Sequence, residues 1–267
     1  MTTVDTGTER MLAAVEDGIG WMTFNQPEKH NAMAMDMLAA VPTILDAFGA
    51  DGDVRVVVVR GAGDRAFISG ADISEFGERR TTPEARAAYD RAMVDTGRAW
   101  NTFRKPTIAM IKGWCMGGGM LTAMQCDMRI AADDSQFGIP AARLGLGYGF
   151  GGVETLARLV GSAHAAEILF SARRFDAAEA LAIGLVNRVV PRRDLVAAVR
   201  ELAAAIAANA PLTVQATKAA LLELRRPPAD RDMDAVNALV EACFRSEDYL
   251  EGQRAFLEKR PPAFRGR

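Results

Sequence analysis

The stretch KPTIAMIKGWCMGGGM, residues 105–120, joins a short apolar run to three consecutive glycines. TIAMI (107–111) is typical of a strand that is buried on both faces of a sheet, and residues 113–119 predict a glycine-rich turn that opens the next helix. Such a turn exposes backbone N–H groups at the positive end of the helix dipole, where an anionic oxygen can bind. A tight turn that needs glycine only for backbone freedom has the same pattern, so these residues alone leave both interpretations open.

Strands and helices alternate on both sides of this stretch. VRVVVVR (54–60), MRIAA (128–132) and LVNRVV (185–190) predict three more buried strands. Residues 61–73 read as a loop, and residues 83–103 have a helical pattern. Alternation of this kind predicts an α/β fold with largely parallel strand pairing.

The N-terminal part of the chain predicts a hairpin followed by a helix. Residues 11–16 and 19–24 are extended runs on either side of an Asp-Gly pair, which is a turn signal. A helical pattern then covers about residues 33–48. Pro42 lies inside that pattern, where it predicts a kink or a break.

The C-terminal part of the chain is helical throughout. Residues 195–209, 211–226 and 232–258 have helical patterns rich in alanine, leucine and charge, with prolines between them. We therefore divide the chain into an α/β core, residues 1–194, and a helical region, residues 195–267.

Composition excludes several classes of function. The chain has 267 residues and a formal charge of −2, so no overall positive field draws it to nucleic acid or to an anionic membrane surface. Three separated cysteines (Cys115, Cys126 and Cys243) and two histidines (His30 and His164) show no metal-ligand spacing, and we expect reduced thiols and no metal. Apolar runs stay short of the ~18 residues of a spanning helix and the N terminus has no secretory pattern, so we expect a cytoplasmic protein.

A second glycine-bearing segment, GYGFGG (147–152), matches the G-x-G-x-x-G pattern of dinucleotide-binding folds. That pattern needs a strand directly before it, and residues 140–144 make a poor strand. It also needs an acidic residue about twenty positions later at the end of a strand, where only Asp176 comes near. The match to a nicotinamide site is therefore weak.

Five segments together resemble the crotonase (enoyl-CoA hydratase/isomerase) superfamily in order and spacing. They are PEKHNA (27–32), FISGADI (67–73), KPTIAMIKGWCMGGG (105–119), CDMRIAADDSQFGIP (126–140) and EGQRAFLEKRPPAF (251–264). The resemblance implies a ClpP-like spiral of ββα units, with C-terminal helices that close the site and build a homotrimer, often paired into a hexamer. It also implies an acyl-coenzyme A thioester as substrate and no metal or redox cofactor.

In that family two backbone N–H groups bind the thioester oxygen, and the resemblance assigns them here to Ala71 and Gly118. An enolate carries negative charge on this oxygen, and each preorganised donor typically contributes about 3–4 kcal/mol. The resemblance also places Lys29 near the phosphates of CoA and Lys259 near the nucleotide of a neighbouring subunit, although either lysine also fits a solvated surface charge. The CoA- and substrate-contacting positions that it implies are Lys29, Ser69, Asp72 (usually structural), Ile73, Trp114, Gly117, Leu121, Ala141 and Lys259.

The chain departs from the hydratases of the family at two positions. Where they carry two glutamates that activate water, this sequence has Leu121 and Ala141, which can neither orient water nor transfer a proton. Tyr148, in the loop LGLGYG (144–149), is a proton donor at neutral pH because the ordinary pKa of a phenol is about 10. Loss of CO₂ from a malonyl-type thioester needs no base, so this set of residues predicts a decarboxylase-type lyase.

The methylmalonyl-CoA decarboxylases of the superfamily resemble this chain in two further ways. They use a tyrosine in the same loop, and their C terminus is similar to SEDYLEGQRAFLEKR (246–260). Against this interpretation, they have a histidine where this chain has Ala71. Two alternatives stay open: a hydratase or double-bond isomerase that uses another acid, such as Glu75 or Glu78, and a CoA-binding protein without activity.

Overall fold

The computed structural model describes residues 2–72, 74 and 82–267. The strands are β1 (Thr2–Val4), β2 (Met11–Glu16), β3 (Ile19–Phe24), β4 (Val56–Gly61), β5 (Ala66–Ile68), β6 (Thr107–Ile111), β7 (Trp114–Met116), β8 (Met128–Ala132), β9 (Gln136–Gly138), β10 (Phe175–Asp176) and β11 (Arg188–Val190). The helices are α1 (Met35–Ala50), α2 (Pro83–Thr102), α3 (Gly118–Gln125), α4 (Phe150–Ser171), α5 (Ala177–Ala182), α6 (Leu195–Ala207), α7 (Pro211–Glu223), α8 (Met233–Phe244) and α9 (Glu247–Glu258).

Two sheets organise the chain. The larger runs in the order β1-β2-β3-β4-β6-β8-β11, and the smaller in the order β10-β9-β7-β5. In the larger sheet every neighbouring pair from β3 to β11 is parallel, whereas β1, β2 and β3 pair antiparallel. The predicted hairpin forms at its predicted bounds, with Glu16 opposite Ile19 across the turn. The expected α/β fold with largely parallel pairing is confirmed.

The valines of β4 show why the larger sheet lies in the interior. Successive side chains of a strand point to opposite faces. Val57 and Val59 belong to the core that α1 covers, whereas Val56 and Val58 belong to a second core that contains Val199 of α6. A continuous β-branched run is therefore buried on both faces, as the sequence predicts. Because α6 packs on this sheet, the helical region also contributes to the core, and the division after residue 194 stays a prediction.

The smaller sheet differs from the sequence expectation. Residues 66–68 lie in the predicted loop and residues 114–116 in the predicted turn, yet they form β5 and β7. Strands of three residues are too short for a hydrophobic pattern to identify them. β5 and β7 are parallel, with Ala66 opposite Trp114. The segments that follow these two strands therefore emerge at the same edge of the sheet, and this edge carries the candidate site.

Three predicted boundaries are also corrected. α1 continues through Pro42 without interruption. Within residues 185–190 only β11 is a strand, because the first two residues form the turn after α5 and donate N–H bonds to the carbonyl of Ala180. The helix predicted over 232–258 is two helices, since Ser246 caps the N terminus of α9 with its hydroxyl oxygen.

Within the part of the chain that the structure describes, no single helix is long and apolar enough to cross a membrane. The segments Arg192–Ala207 and Pro211–Glu223 meet that criterion only as a pair, and the pair is bent by 106°. In the same described residues, no group of three or more histidine, cysteine or acidic side chains is placed to hold a metal ion.

Candidate active site

The backbone nitrogen of Ala71 lies beside Gly118. A β-carbon on Gly118 would lie 3.7 Å from the nitrogen of Ala71. The two residues follow β5 and β7, and the parallel pairing of these strands accounts for their meeting. The fold thus brings together the two residues that the sequence resemblance pairs.

Within the described part of the chain, neither N–H group donates a hydrogen bond. Ala71 forms a parallel bridge with Met33, in which Met33 N–H donates to the Gly70 carbonyl (2.8 Å) and Asp72 N–H donates to the Met33 carbonyl (3.0 Å). This pattern leaves the N–H of Ala71 pointing away from Met33. Gly118 is the first residue of α3, so its N–H has no acceptor inside the helix. Across residues 2–72, 74 and 82–267, both N–H groups remain without an acceptor.

The other two glycines of the run meet steric demands. Gly117 has φ +51° and ψ −113°, a backbone conformation that side chains disfavour. A β-carbon on Gly119 would lie 2.1 Å from the carbonyl oxygen of Ile68, which leaves no room for a side chain. At Gly118 the one tight contact of a β-carbon in the described residues would be with the flexible end of Met33, at 3.1 Å, while Ala71 and Gly70 would lie at ordinary contact distance. The backbone conformation therefore favours glycine at 117 and packing requires it at 119, whereas at 118 glycine keeps open the space next to Ala71.

Asn31 fixes the chain around the Ala71 segment, and the sequence analysis missed it. Its side chain is fully buried, accepts a hydrogen bond from Gln26 N–H (3.0 Å) and donates to the carbonyls of Ala62 and Ala66 (2.9 Å each). The residue has φ +56°, which asparagine tolerates better than most residues. The only local signal is an asparagine in the polar loop PEKHNA, since its partners lie far away in sequence.

Asp72, the residue after Ala71, is hydrogen-bonded to the same PEKHNA loop and to Ser74. Its carboxylate accepts hydrogen bonds from Lys29 (2.7 Å), from the backbone N–H and hydroxyl of Ser74, and from Gln26 (3.3 Å). Burial alone would raise the pKa of Asp72, but the hydrogen bonds from Lys29, Ser74 and Gln26 outweigh it and lower this pKa to about 2. The geometry fits a structural role for Asp72. The side chain of Lys29 stays half exposed, and its contact with CoA phosphates remains a prediction.

An apolar wall lies next to Gly118. Leu121 follows Gly118 by one helical turn, and a β-carbon on Gly152 would lie 3.0 Å from Leu121 Cδ2 and 2.7 Å from Tyr148 Cε1. Leu121, Ala141 and Tyr148 all pack on the edge of the main core, and so does Met33. Tyr148 and Leu121 therefore both lie beside Gly152, which places the tyrosine ring near one of the two positions where the resemblance implies a glutamate in hydratases.

The hydroxyl of Tyr148 is buried and has no hydrogen-bond partner in the described residues. Burial raises the pKa of Tyr148 above its ordinary value, so the phenol stays protonated. A buried O–H without an acceptor costs free energy. Such an unpaired O–H is consistent with a donor whose partner is a bound molecule.

The remaining predicted positions are placed as follows. The Ser69 hydroxyl donates to the Lys29 carbonyl at 3.4 Å, close to the Ala71 segment. Trp114 lies in β7 with the Arg174 guanidinium 4.9 Å from its ring centre. Lys259 is exposed at the end of α9, with φ +52°. Ile73, Glu75 and Glu78 lie outside the described residues.

Two other chemistries receive no support from the geometry. Cys115 and Cys126 are fully buried free thiols, and burial raises the pKa of both, that of Cys126 to about 12. The segment before GYGFGG (147–152) is a 3₁₀ helix, Pro140–Leu144, where a dinucleotide site would need a strand.

Comparison with known proteins agrees with this geometry. The family model described as enoyl-CoA hydratase/isomerase matches residues 14–267. The chain belongs to this family. It is 36% identical over 245 residues to the short-chain-enoyl-CoA hydratase of Clostridium acetobutylicum, covering 92% of this chain and 93% of that protein. It is also 36% identical over 256 residues to the crotonyl-CoA hydratase of Syntrophomonas wolfei, covering 96% and 98% of the two chains.

A solved structure of the family has the same fold. An enoyl-CoA hydratase/carnithine racemase from Magnetospirillum magneticum superposes with a TM-score of 0.90 at 35% identity, covering 97% of each chain. The protein is therefore an acyl-CoA enzyme of the enoyl-CoA hydratase/isomerase family. The paired N–H groups of Ala71 and Gly118 are its candidate oxyanion site.

Proposed function

We propose that the protein binds an acyl-CoA thioester and stabilises its enolate with the N–H groups of Ala71 and Gly118. The observation that carries this proposal is the closeness of Ala71 to Gly118, whose N–H groups have no acceptor among the described residues. Donors that are fixed before the reaction stabilise developing charge without reorganisation, and each contributes about 3–4 kcal/mol. The same pair serves any reaction that passes through this enolate.

We further propose that the enolate forms by decarboxylation of a malonyl-type thioester. The bond between the α-carbon and the carboxylate breaks, CO₂ leaves, and the electron pair moves to the thioester oxygen. The electron pair returns from the oxygen as the α-carbon takes a proton from water, or from the Tyr148 hydroxyl, which then regains its proton from water. Leu121 and Ala141 support this proposal, because an apolar wall favours loss of a carboxylate and supplies no base. The Tyr148 hydroxyl is buried and has no partner among the residues that the structure describes, which supports its role as donor.

Hydration or double-bond isomerisation is the second candidate, because the similar proteins are named as hydratases. Either reaction needs an acid or base other than residues 121 and 141. Glu75 and Glu78 are the candidates in sequence, and they lie outside the described residues. A CoA-binding protein without turnover is the third candidate.

Turnover on matched thioesters separates these candidates. We expect CO₂ release from malonyl-CoA or methylmalonyl-CoA. We expect very slow hydration of crotonyl-CoA, measured as the loss of its conjugated absorbance. Fast hydration with no CO₂ release would refute the decarboxylase proposal. It would not contradict the proposed oxyanion site, which serves both reactions. Calorimetry that gives equal affinity for an acyl-CoA and the matching free acid would contradict the proposal that the protein has an acyl-CoA site.

The assembly is also a proposal. Phe256 and Leu257 of α9 are 84% and 81% exposed, and Phe244 and Leu250 are more than half exposed. Exposed apolar residues on the last two helices support a homotrimer or a hexamer formed through them. A cytoplasmic location is a separate part of the proposal. Sedimentation of the full chain as a monomer at micromolar concentration would contradict this part.

A further inference from the structure

A cavity lies at the opposite edge of the larger sheet from the candidate active site. It has a volume of about 180 Å³ and is bounded by the segments before β4 and β6, the loop between α6 and α7, and the C-terminal residues Arg265 and Gly266. The Ala71 and Gly118 segments follow the carboxyl ends of β4 and β6 instead. Six residues of β4 at ~3.3 Å each separate the two edges by roughly 20 Å.

The residues that line this cavity carry a net positive charge, although the Asp51 carboxylate lies near Lys105. Arg55, Lys105 and Arg265 line it, and among the described lining residues none is acidic. Lys105 is only 7% exposed, and its ammonium donates to the backbone carbonyls of Phe48 and Asp51 at 2.6 Å each. An ammonium has three donors, so one remains. The Arg55 guanidinium lies over the C-terminal tail, 3.5 Å from the position of a β-carbon on Gly266.

The positive end of a helix opens into the same cavity. α7 has 13 residues, begins at Pro211, and has Ala210 as its N-cap, which offers no side-chain acceptor. The N–H groups of the first turn therefore have no side-chain cap, and Leu212 of this turn lines the cavity. The Asp248 carboxylate, next to the tail, is occupied by the N–H groups of Arg265 and Gly266 at 2.7 Å each.

We propose that this cavity binds a small oxyanion, inorganic phosphate or a phosphate monoester, at a site separate from the acyl-CoA site. Arg55, Lys105 and Arg265 line this cavity together with the first turn of α7, and phosphate accepts hydrogen bonds from groups of each kind. The volume is far above the ~10–15 Å³ that one water needs, so a phosphate group fits. Burial lowers the pKa of Lys105, the Asp51 carboxylate raises it, and the Arg55 guanidinium lowers it, so a bound anion would favour the charged form of Lys105.

The test is calorimetric titration of inorganic phosphate into the full chain and three variants. We expect a Kd tighter than about 1 mM for the wild type, and a weakening of about tenfold or more in Arg55→Gln and in Arg265→Gln. Arg188→Gln is the matched control, because Arg188 is an exposed arginine on β11 and should leave Kd within about twofold. Circular dichroism establishes that each variant is folded, and Arg265→Gln keeps the backbone bond to Asp248.

A wild-type Kd weaker than about 1 mM, or equal affinity in all variants, would overturn the proposal. CoA is the second source of phosphate and needs its own titration. Affinity for CoA that is unchanged in Arg55→Gln supports a separate site. A tenfold loss of CoA affinity would instead assign the cavity to the substrate and overturn the separate site, whatever the outcome for acyl-CoA turnover.

Discussion

The side-chain amide of Asn31 donates a hydrogen bond of 2.9 Å to the carbonyl oxygen of Ala66, the first residue of the strand that leads to Ala71. This contact joins the PEKHNA loop to the segment that carries one of the two proposed donors. We expect Asn31→Ala to lower the free energy of unfolding by about 2–5 kcal/mol, since it leaves buried backbone groups without partners. Urea titration measures this, with exposed Asn237→Ala as the control. A change below about 1 kcal/mol would contradict the role.

Gly118→Ala tests the proposed oxyanion site without deleting a donor. The added methyl group would lie 3.7 Å from the Ala71 nitrogen, in the space that the thioester oxygen needs, and displaces only the end of Met33. We expect kcat/KM on the best substrate to fall about 10²-fold or more while the protein stays folded. Gly97→Ala in α2 is the matched control, because nothing lies near its β-carbon position. Wild-type turnover in folded Gly118→Ala would rule out this site.

Tyr148→Phe keeps the ring against Leu121 and removes the buried hydroxyl. Since that hydroxyl has no partner in residues 2–72, 74 and 82–267, we expect stability to stay unchanged or to rise by up to about 1 kcal/mol. If the hydroxyl acts in the transition state, kcat falls about tenfold or more with KM little changed. Tyr249→Phe, at a partly exposed ring on α9, is the control. Equal kcat in both variants would leave Tyr148 as a packing residue.

Hydration of crotonyl-CoA should be very slow with Leu121 and Ala141 in place. Each missing acid–base group typically removes a factor of about 10²–10⁴ in rate. We expect the double variant Leu121→Glu/Ala141→Glu to gain measurable hydration, limited by how well the apolar wall orients the new carboxylates. The loss of enoyl absorbance measures both proteins. A wild-type kcat above about 10² s⁻¹ would show that another carboxylate activates water.

The lowered pKa of Asp72 predicts that the free energy of unfolding decreases in acid. Its pKa is lowered from 3.8 to about 2 in the folded protein, so its contribution is present above pH 3.8 and is lost as the pH falls towards about 2. The shift corresponds to about 2 kcal/mol. Urea unfolding at a series of pH values should show a shallower acid limb for Asp72→Asn than for the wild type. Parallel limbs would show that Asp72 gains nothing from Lys29 and Ser74.

The sequence predicts the larger sheet well and the smaller sheet poorly, for one physical reason. The hairpin of β2 and β3 and the valines of β4 follow local rules of alternation and burial, so a short window of residues contains the signal. β5 and β7 are three residues each and exist because they pair with each other across a long stretch of chain. Their pairing is a tertiary property that no local pattern records.

The candidate site divides in the same way. The glycine run could be located from local chemistry, but its pairing with Ala71 came from the family resemblance and not from spacing. Asn31 was missed because its importance lies in partners at residues 62 and 66. Tyr148 could be identified from its place in the LGLGYG loop. That its hydroxyl is buried without a hydrogen-bond partner among the described residues can be seen only in the three-dimensional structure.

The proposed donors at 71 and 118 are main-chain atoms, and this has an evolutionary consequence. Main-chain amides persist through every substitution except proline, so mutation acts on the path of the chain and on the surrounding side chains. Replacing the glutamates of a hydratase by leucine and alanine would then alter which bonds break. The main-chain groups that bind the negative charge would stay the same in the ancestral and the descendant enzyme. In such a lineage new reactions arise by exchanging the walls around a fixed electrostatic centre.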